Sequence, residues 1–257
     1  MSSIIFTTAY KDICRESWNH YGRTNERYFT AFTKLAENIQ YKLVVYLENN
    51  IKDEVLKKGP FSDNIVFVDM QTVNTFYDSF LESDKKIIGS EQYKRLIPHD
   101  RTINPEHVFS EYNMINHSKV NFLQNTLTIF PEYDYYAWID FGSINENVTN
   151  IPKTMNYDML SPKIIYHCLQ NPHYPRRDEI NMLQTFDIYF TGSSFIVHRD
   201  LVGEFETLYK QKIVEWQSNG ITDDDQNLVL QIYYDNPELF QLIINPEWFT
   251  LYKMVSS

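Results

Sequence analysis

Residues 133–144 read Tyr-Asp-Tyr-Tyr-Ala-Trp-Ile-Asp-Phe-Gly-Ser-Ile: an apolar run, an acid, a turn. From Tyr135 to Ile139 every residue is aromatic or aliphatic. That run is too short for a helix and suits a buried strand. It stops at Asp140, and Gly142 permits a sharp turn just beyond. An Asp at the carboxyl end of a central strand stands where open α/β sheets bind ligands. There it can hold a divalent cation or a ribose hydroxyl, or open a loop as a solvated side chain.

The flanking chain supplies partners for such a strand. Residues 3–8 (Ser-Ile-Ile-Phe-Thr-Thr) form a first strand apolar enough to be buried on both faces. The polar stretch 9–24, with Arg15 and Arg23, reads as a loop above its end. Residues 25–39 place Tyr28, Phe29, Phe32, Leu35, Ala36 and Ile39 on one helical stripe. Strands are expected at 42–47 and 64–68, with helices at 51–58 and 73–81. Three strand–helix units in succession indicate parallel βαβ winding. Residues 82–111 carry no clear period. A helix over 116–130 precedes the central strand. Strands at 162–169 and 188–197 follow, then a helix over 200–216 capped by Asp200, another over 223–234 capped by Thr222, and closing segments at 240–244 and 248–252. The expected fold class is therefore α/β, with a mainly parallel central sheet flanked by helices.

The chain has 257 residues, enough for one large domain with a real core. Its net charge of −11 argues against general nucleic-acid binding, which needs basic surface to displace counterions. It does not exclude a small anion held by a few local Arg and Lys side chains. The 19 Tyr, 17 Phe and 4 Trp suit either a site that stacks on planar or sugar rings, or an aromatic core. Cys14 and Cys168 lack paired spacing, the first ten residues lack a signal-peptide pattern, and no stretch reaches the ~18 apolar residues of a spanning helix. These features imply a soluble, cytoplasmic protein.

Several motifs fail on inspection. Asp140-Phe141-Gly142 and His198-Arg199-Asp200-Leu201 stand in the wrong order for a protein kinase, with no glycine-rich loop before them. Walker A, G-x-G-x-x-G and H-E-x-x-H patterns are missing, and Gly192-Ser193-Ser194 does not fit a serine-hydrolase elbow. Three constellations remain. Thr7-Thr8-Ala9-Tyr10 runs into Arg15 and Trp18, Trp138 to Gly142 ends the central strand, and Asp223-Asp224-Asp225-Gln226 opens a helix. Together they suit a nucleoside diphosphate: an aromatic for the base, Arg15 or Lys119 for phosphate oxygens, and an Asp-bound cation for the leaving diphosphate. A second carboxylate can bind or activate an acceptor hydroxyl. Three successive carboxylates on a helix cannot face one pocket, because each residue turns by about 100°. One caps, one faces solvent and one is left for chemistry. Asp225 is the choice for that role, with Asp224 the runner-up.

The chain resembles the HtrL/YibB-like proteins (also called WlaTC/HtrL). The resemblance rests on Thr7-Thr8-Ala9-Tyr10 through Asp12-Ile13-Cys14-Arg15 and Trp18, on Arg27-Tyr28-Phe29, and on Leu43-Val44-Val45-Tyr46. It continues through Glu111-Tyr112-Asn113 with Asn116, Ser118 and Lys119, and is most specific at Ala137-Trp138-Ile139-Asp140-Phe141-Gly142. It implies a GT-A-type glycosyltransferase, with residues 1–145 as the nucleotide-sugar half and 146–257 as the acceptor half of one domain. The implied donor site comprises Thr7, Thr8, Ala9, Tyr10, Arg15, Lys119, Asp140, Phe141 and Gly142. Asp225-Gln226 and Pro237-Glu238-Leu239-Phe240 look like an acceptor-side segment, with Gln226 binding sugar hydroxyls. The implied reaction moves a hexose from a nucleotide-diphosphate sugar to a glycan, assisted by Mn²⁺ or Mg²⁺. The chain departs from the usual Asp-x-Asp at Gly142, so a cation at Asp140 is completed by a distant residue such as His198 or one of Asp223–Asp225, or none is used. A catalytically inert nucleotide- or sugar-binding protein is the alternative. A nucleotidyltransferase ranks last, for want of a glycine- and lysine-rich phosphate loop.

Overall fold

Strand β1 (Ile4–Tyr10) sets the architecture, because its side chains alternate into two separate cores. The computed structural model describes residues 2–144, 151–172, 177–185 and 187–256. The boundary expected between 145 and 146 lies outside the described residues. The other strands are β2 (Leu43–Leu47), β3 (Ile65–Asp69), β4 (Tyr135–Ile139), β5 (Ile164–Cys168), β6 (Phe190–His198) and β7 (Phe240–Ile244). They form one sheet in the order β3-β2-β1-β4-β6-β5-β7. β4 and β5 both pair antiparallel to β6, and every other pairing is parallel, so β6 alone among them runs against the rest.

Helices α1 (Asn25–Asn38) and α2 (Asn49–Leu56) make the β1-α1-β2-α2-β3 crossovers. The chain then passes through α3 (Phe76–Gly89), α4 (Glu91–Leu96), α5 (Pro105–Val108), α6 (Ser110–His117) and α7 (Lys119–Ile129) before β4. After it come α8 (Glu179–Gln184), α9 (Val202–Ser218), α10 (Asp225–Asp235) and α11 (Leu251–Met254). One core joins Ile5, Val44, Tyr46, Tyr136 and Trp138 to Phe122 and Leu123 of α7, Phe205 and Tyr209 of α9, and Val229 of α10. The other joins Ile4, Phe6, Val45, Ala137 and Ile139 to Phe32 and Leu35 of α1, Val55 of α2 and Tyr252 of α11. All of β2 is buried, as a strand covered on both faces must be. β1 to β3 wind to one side and β4 returns on the other side of β1. The sheet therefore reverses its winding between β1 and β4, and their carboxyl ends splay apart there.

The structure departs from the sequence reading at several joints. The helix expected over 116–130 is two helices, broken at Ser118, whose hydroxyl donates to Met114 O (2.7 Å) and accepts from Tyr77 N (2.9 Å). A serine that satisfies backbone groups in this way competes with helix continuity. Residues 82–111 are largely helical, their short turns stabilised by tertiary packing rather than by a long periodic face. Asp200 does not cap α9: it lies in a 3-10 turn (Arg199–Leu201) ahead of the helix. Thr222 does not cap α10, because Asp224 does, accepting from Gln226 N (3.0 Å). Thr222 Oγ1 donates instead to Asp84 on α3.

Asp84 is fully buried, and burial pushes its carboxyl up to about 6, against hydrogen bonds that pull it down. Its folded value lies above the unfolded one, so the native protein binds the extra proton between about pH 4 and pH 6. Its contribution to stability is present below that window and is lost as pH rises through it. Relative to wild type, Asp84→Asn should lose a decline of about 2–3 kcal/mol in unfolding free energy between pH 4 and pH 7. Urea titrations of both proteins across that range measure it. Parallel pH profiles would show that Asp84 does not carry this linkage.

Candidate active site

A cleft of about 300 Å³ opens over the carboxyl ends of β1 and β4, at the point where the winding reverses. Ala9 and Tyr10 come from β1, Asp140 to Ser143 from the turn after β4, and Gly192 and Ser193 from β6, whose start lies at this end because it runs antiparallel. Arg15, Arg23 and Tyr28 come from the loop after β1 and from α1, and Tyr112, Asn116 and Lys119 from α6 and α7. Asp225 and Gln226 come from α10.

Its centre is the Lys119 ammonium. Nζ donates to Asp225 Oδ2 (2.8 Å) and to Gly192 O (2.8 Å), and lies 3.3 Å from Asp140 Oδ1. Three acceptors match three N–H donors. The side chain is only 6 % exposed. Burial disfavours its charge, but Asp140 and Asp225 outweigh that and hold its pKa above the usual lysine value. Asp225 reaches this position because residue 192 is glycine: a Cβ there would lie 2.4 Å from Asp225 Oδ2. Glycine inside a strand marks such a close approach, and this is the signal that a search for hydrolase motifs passes over.

Asp140 is also fixed from behind. Trp138 Nε1 donates to Oδ1 (2.7 Å), and the indole is packed between Phe122 and Phe195. Oδ2 has no partner among the described residues, and the side chain is 34 % exposed. Lys119 counters one of the two carboxylates, leaving a net negative charge at the cleft floor. This geometry fits a Mg²⁺ or Mn²⁺ ion that arrives with a diphosphate and takes one carboxylate oxygen. A cage built by protein side chains alone does not fit, because Lys119 fills the space between Asp140 and Asp225.

The remaining site residues divide clearly. His198 pairs with Tyr135 at the opposite end of β4 from Asp140, five residues along the strand and roughly 16 Å away. It is not a partner for a cation at Asp140, and the expectation that it completes that ion is corrected. Thr7 and Thr8 are wholly buried in β1 and do not reach the cleft; Thr7 Oγ1 donates to Thr126 (3.0 Å). Phe141 lines the cleft edge but is stacked between Phe32 (4.4 Å) and Tyr10 (5.1 Å), so its face is not open to a ligand. Gly142 admits the Tyr28 ring, which a Cβ would meet at 2.6 Å. Arg15 is pre-positioned: Nη1 donates to Tyr28 OH (2.8 Å), Nε to Tyr21 O (3.0 Å), and the guanidinium lies over Trp18 and Tyr112. Asp223, Asp224 and Asp225 are all buried, so the expected solvent-facing member does not exist. Asp224 caps α10, and its Oδ2 accepts from Gln226 Nε2 (3.2 Å). Asp223, on its other side, meets Asn227.

A second cleft of about 250 Å³ adjoins the first, and the two share Arg15, Arg23, Tyr112 and Gln226. Glu106, Asp223 and Asp224 line it. Glu106, His107 and Asp223 bring one ligand atom each within 4.8 Å of one another, a group able to hold a metal ion. Two-carboxylate sites separated by more than 100 residues carry no local sequence pattern, so the sequence does not signal this one.

A family model described as "Bacterial protein of unknown function (HtrL_YibB)" matches residues 2–257. The chain belongs to the HtrL_YibB family. Within that family, protein HtrL of Escherichia coli (strain K12) is 25 % identical over 277 aligned positions, covering 100 % of this chain and 93 % of that protein. Among solved structures, mouse xyloside xylosyltransferase 1 in its apo form aligns over 94 % of this chain and 84 % of its own, with TM-score 0.44 and 12 % identity. The 4-diphosphocytidyl-2C-methyl-D-erythritol synthase of Anaerococcus prevotii DSM 20548 aligns over 97 % and 91 %, with TM-score 0.45 and 11 % identity. Among the described residues, no helix is long and apolar enough to cross a membrane.

Lys119→Met tests the centre of this site. It would leave Asp225 buried without its cation, which typically costs about 3–5 kcal/mol. Adding Asp225→Asn should restore at least half of that loss, because the stranded charge is gone. Urea unfolding of the single and double variants gives the coupling directly. A single variant within 1 kcal/mol of wild type by this criterion would show that the triad does not hold the site.

Proposed function

We propose that this cleft binds a nucleotide-diphosphate sugar and transfers its hexose to a hydroxyl of a glycan acceptor. The observation that carries the reading is the Lys119–Asp140–Asp225 triad, set at the winding reversal of an α/β sheet and flanked by arginines and tyrosines. Arg15 and the exposed Arg23 offer fork-shaped donors for phosphate oxygens. Tyr28 and Tyr112 offer ring faces for a base or a sugar. Asp140 would hold Mg²⁺ or Mn²⁺ through its open oxygen, and the ion would neutralise the leaving diphosphate. The second cleft, reached past Gln226, is the natural place for the acceptor.

In this reading Asp225 takes the proton from the acceptor hydroxyl. The anomeric carbon's bond to the phosphate oxygen breaks, its electron pair leaves with the diphosphate, and the acceptor oxygen forms the new glycosidic bond. Lys119 orients Asp225 for that step and Asp224 holds the helix start beneath it. An inert binding protein would use the same cleft without the proton transfer.

Calorimetry with common nucleoside diphosphates and nucleotide sugars should show binding that Arg15→Ala weakens at least tenfold, since a charged bidentate contact is worth about 1.5–3 kcal/mol. No binding at millimolar ligand would remove the basis for transfer.

Two carboxylate variants separate donor from acceptor roles. Asp140→Asn should abolish any Mn²⁺-dependent gain in donor affinity while leaving the fold intact, because it keeps the shape and removes the charge a hard cation requires. Asp225→Asn should bind donor normally and lose about 10²–10⁴ in turnover. Asp224→Ala should instead lower stability by roughly 1 kcal/mol, the cost of a lost helix cap. Wild-type turnover by Asp225→Asn would assign the base elsewhere.

A further inference from the structure

We propose that Glu106, His107 and Asp223 bind a divalent transition-metal ion, Zn²⁺ or Mn²⁺, at the floor of the second cleft. This site is separate from Asp140 and does not rest on the transfer reading. His107 carries the inference. The Tyr93 hydroxyl has one proton, which it donates to Thr222 O (2.8 Å). Its oxygen therefore accepts from His107 Nδ1–H (2.9 Å). That bond fixes the tautomer and leaves Nε2 as a bare lone pair. The side chain is 1 % exposed, and Nε2 has no hydrogen-bond partner among the described residues. A buried polar atom without a partner is costly and uncommon.

What Nε2 faces is acidic. Glu106 Oε1 lies 4.0 Å away, and an Asp223 oxygen falls within the same 4.8 Å group. Asn104 Nδ2 (3.0 Å) and Arg101 Nη2 (3.2 Å) both bond Glu106 through Oε1, leaving Oε2 without a partner among the described residues. Asp223 accepts from Asn227 Nδ2 (2.7 Å) and Asp224 N (2.9 Å), bonds that orient it and still leave a lone pair on each oxygen. Asp224 lies beside them, Arg101 bonds Glu106, and Arg15 and Arg23 line the same cleft; the two carboxylates grouped with Nε2 are where a divalent cation would find complementary ligands. Ligands about 2.0–2.2 Å from a metal sit roughly 3.4 Å apart in a tetrahedron, so the three atoms need to close by about an ångström. An imidazole with two carboxylates suits Zn²⁺ or Mn²⁺ over Mg²⁺ and Ca²⁺, which prefer all-oxygen sites. The hydrogen bond from His107 to Tyr93 is the outer support that metal-bound histidines use. Glu106 and Asp223 line the second cleft, so an open coordination position would face whatever enters it.

The test uses the full chain, stripped with chelator and titrated with Zn²⁺ alone by calorimetry, with Co²⁺ absorption as a second readout. One equivalent should bind with low-micromolar affinity or better, raise the melting temperature, and give the intense visible bands of a low-coordinate Co²⁺ site. His107→Ala and Glu106→Gln should each weaken binding at least 30-fold, while Asp140→Asn should bind like wild type. Glu106→Gln keeps the side-chain volume and serves if His107→Ala does not fold. No binding at 1 mM Zn²⁺, or equal binding by Glu106→Gln, would overturn the assignment; so would loss in Asp140→Asn alone. None of these outcomes bears on nucleotide binding in the first cleft.

Discussion

A lysine ammonium shut between two carboxylates and a strand carbonyl governs how this molecule is assembled. Removing Lys119 and Asp225 from water costs several kcal/mol each, and only close, complementary geometry offsets it; Asp140 keeps one edge exposed. Lys119 starts α7, Asp140 ends β4, Asp225 starts α10 and Gly192 lies in β6. All four elements must therefore be in register before any of the charges is satisfied. The constraint reaches into covalent detail: no side chain larger than hydrogen fits at residue 192, because the Asp225 carboxylate occupies that space. A charge cluster so dependent on neighbours is better suited to fixing a geometry than to adding net stability.

Around that centre the aromatic residues do two different jobs. Most are packing material, as in the stack of Tyr166 on Phe195 and the sandwich of Phe141 between Phe32 and Tyr10. A smaller set shapes polar groups. Trp138 holds Asp140 by its indole N–H, Tyr28 and Tyr112 confine Arg15, and Tyr93 sets the tautomer of His107. An amphipathic ring does both at once, with an apolar body in the core and a polar edge at the site. The abundance of tyrosine is thus explained largely by support rather than by direct ligand stacking.

The loop from Thr222 to Asp225 is held at every residue. Thr222 bonds Asp84 and Tyr93, Asp223 O accepts from His117 Nε2 (3.0 Å), Asp224 caps α10, and Asp225 meets Lys119. Burial pushes His117 down to about 3 and keeps it neutral. It raises the pKa values of Asp223 and Asp224, through desolvation first and through neighbouring carboxylates second. Both clefts border this strap, with Asp225 lining the first and Asp223 and Asp224 the second.

What the amino-acid order determined by itself was local and periodic. The runs at Ile4–Tyr10, Leu43–Leu47 and Tyr135–Ile139 are apolar enough to be strands, the stripe of α1 is amphipathic, and Asp140 with Gly142 reads as a strand end. Those features follow from neighbours within a few residues, and they place Asp140 and Asp225 among the residues to watch. Only the tertiary structure decided what each acid faces. Whether His198 or Lys119 meets Asp140 depends on β6 running antiparallel, which puts its first residues, and not its last, beside the cleft. Whether an aspartate caps, pairs or lines a metal site depends on helices more than 100 residues away, as with Lys119 and Asp225. Electrostatic and hydrogen-bond partners act across space at a few ångströms, and no spacing along the chain records them.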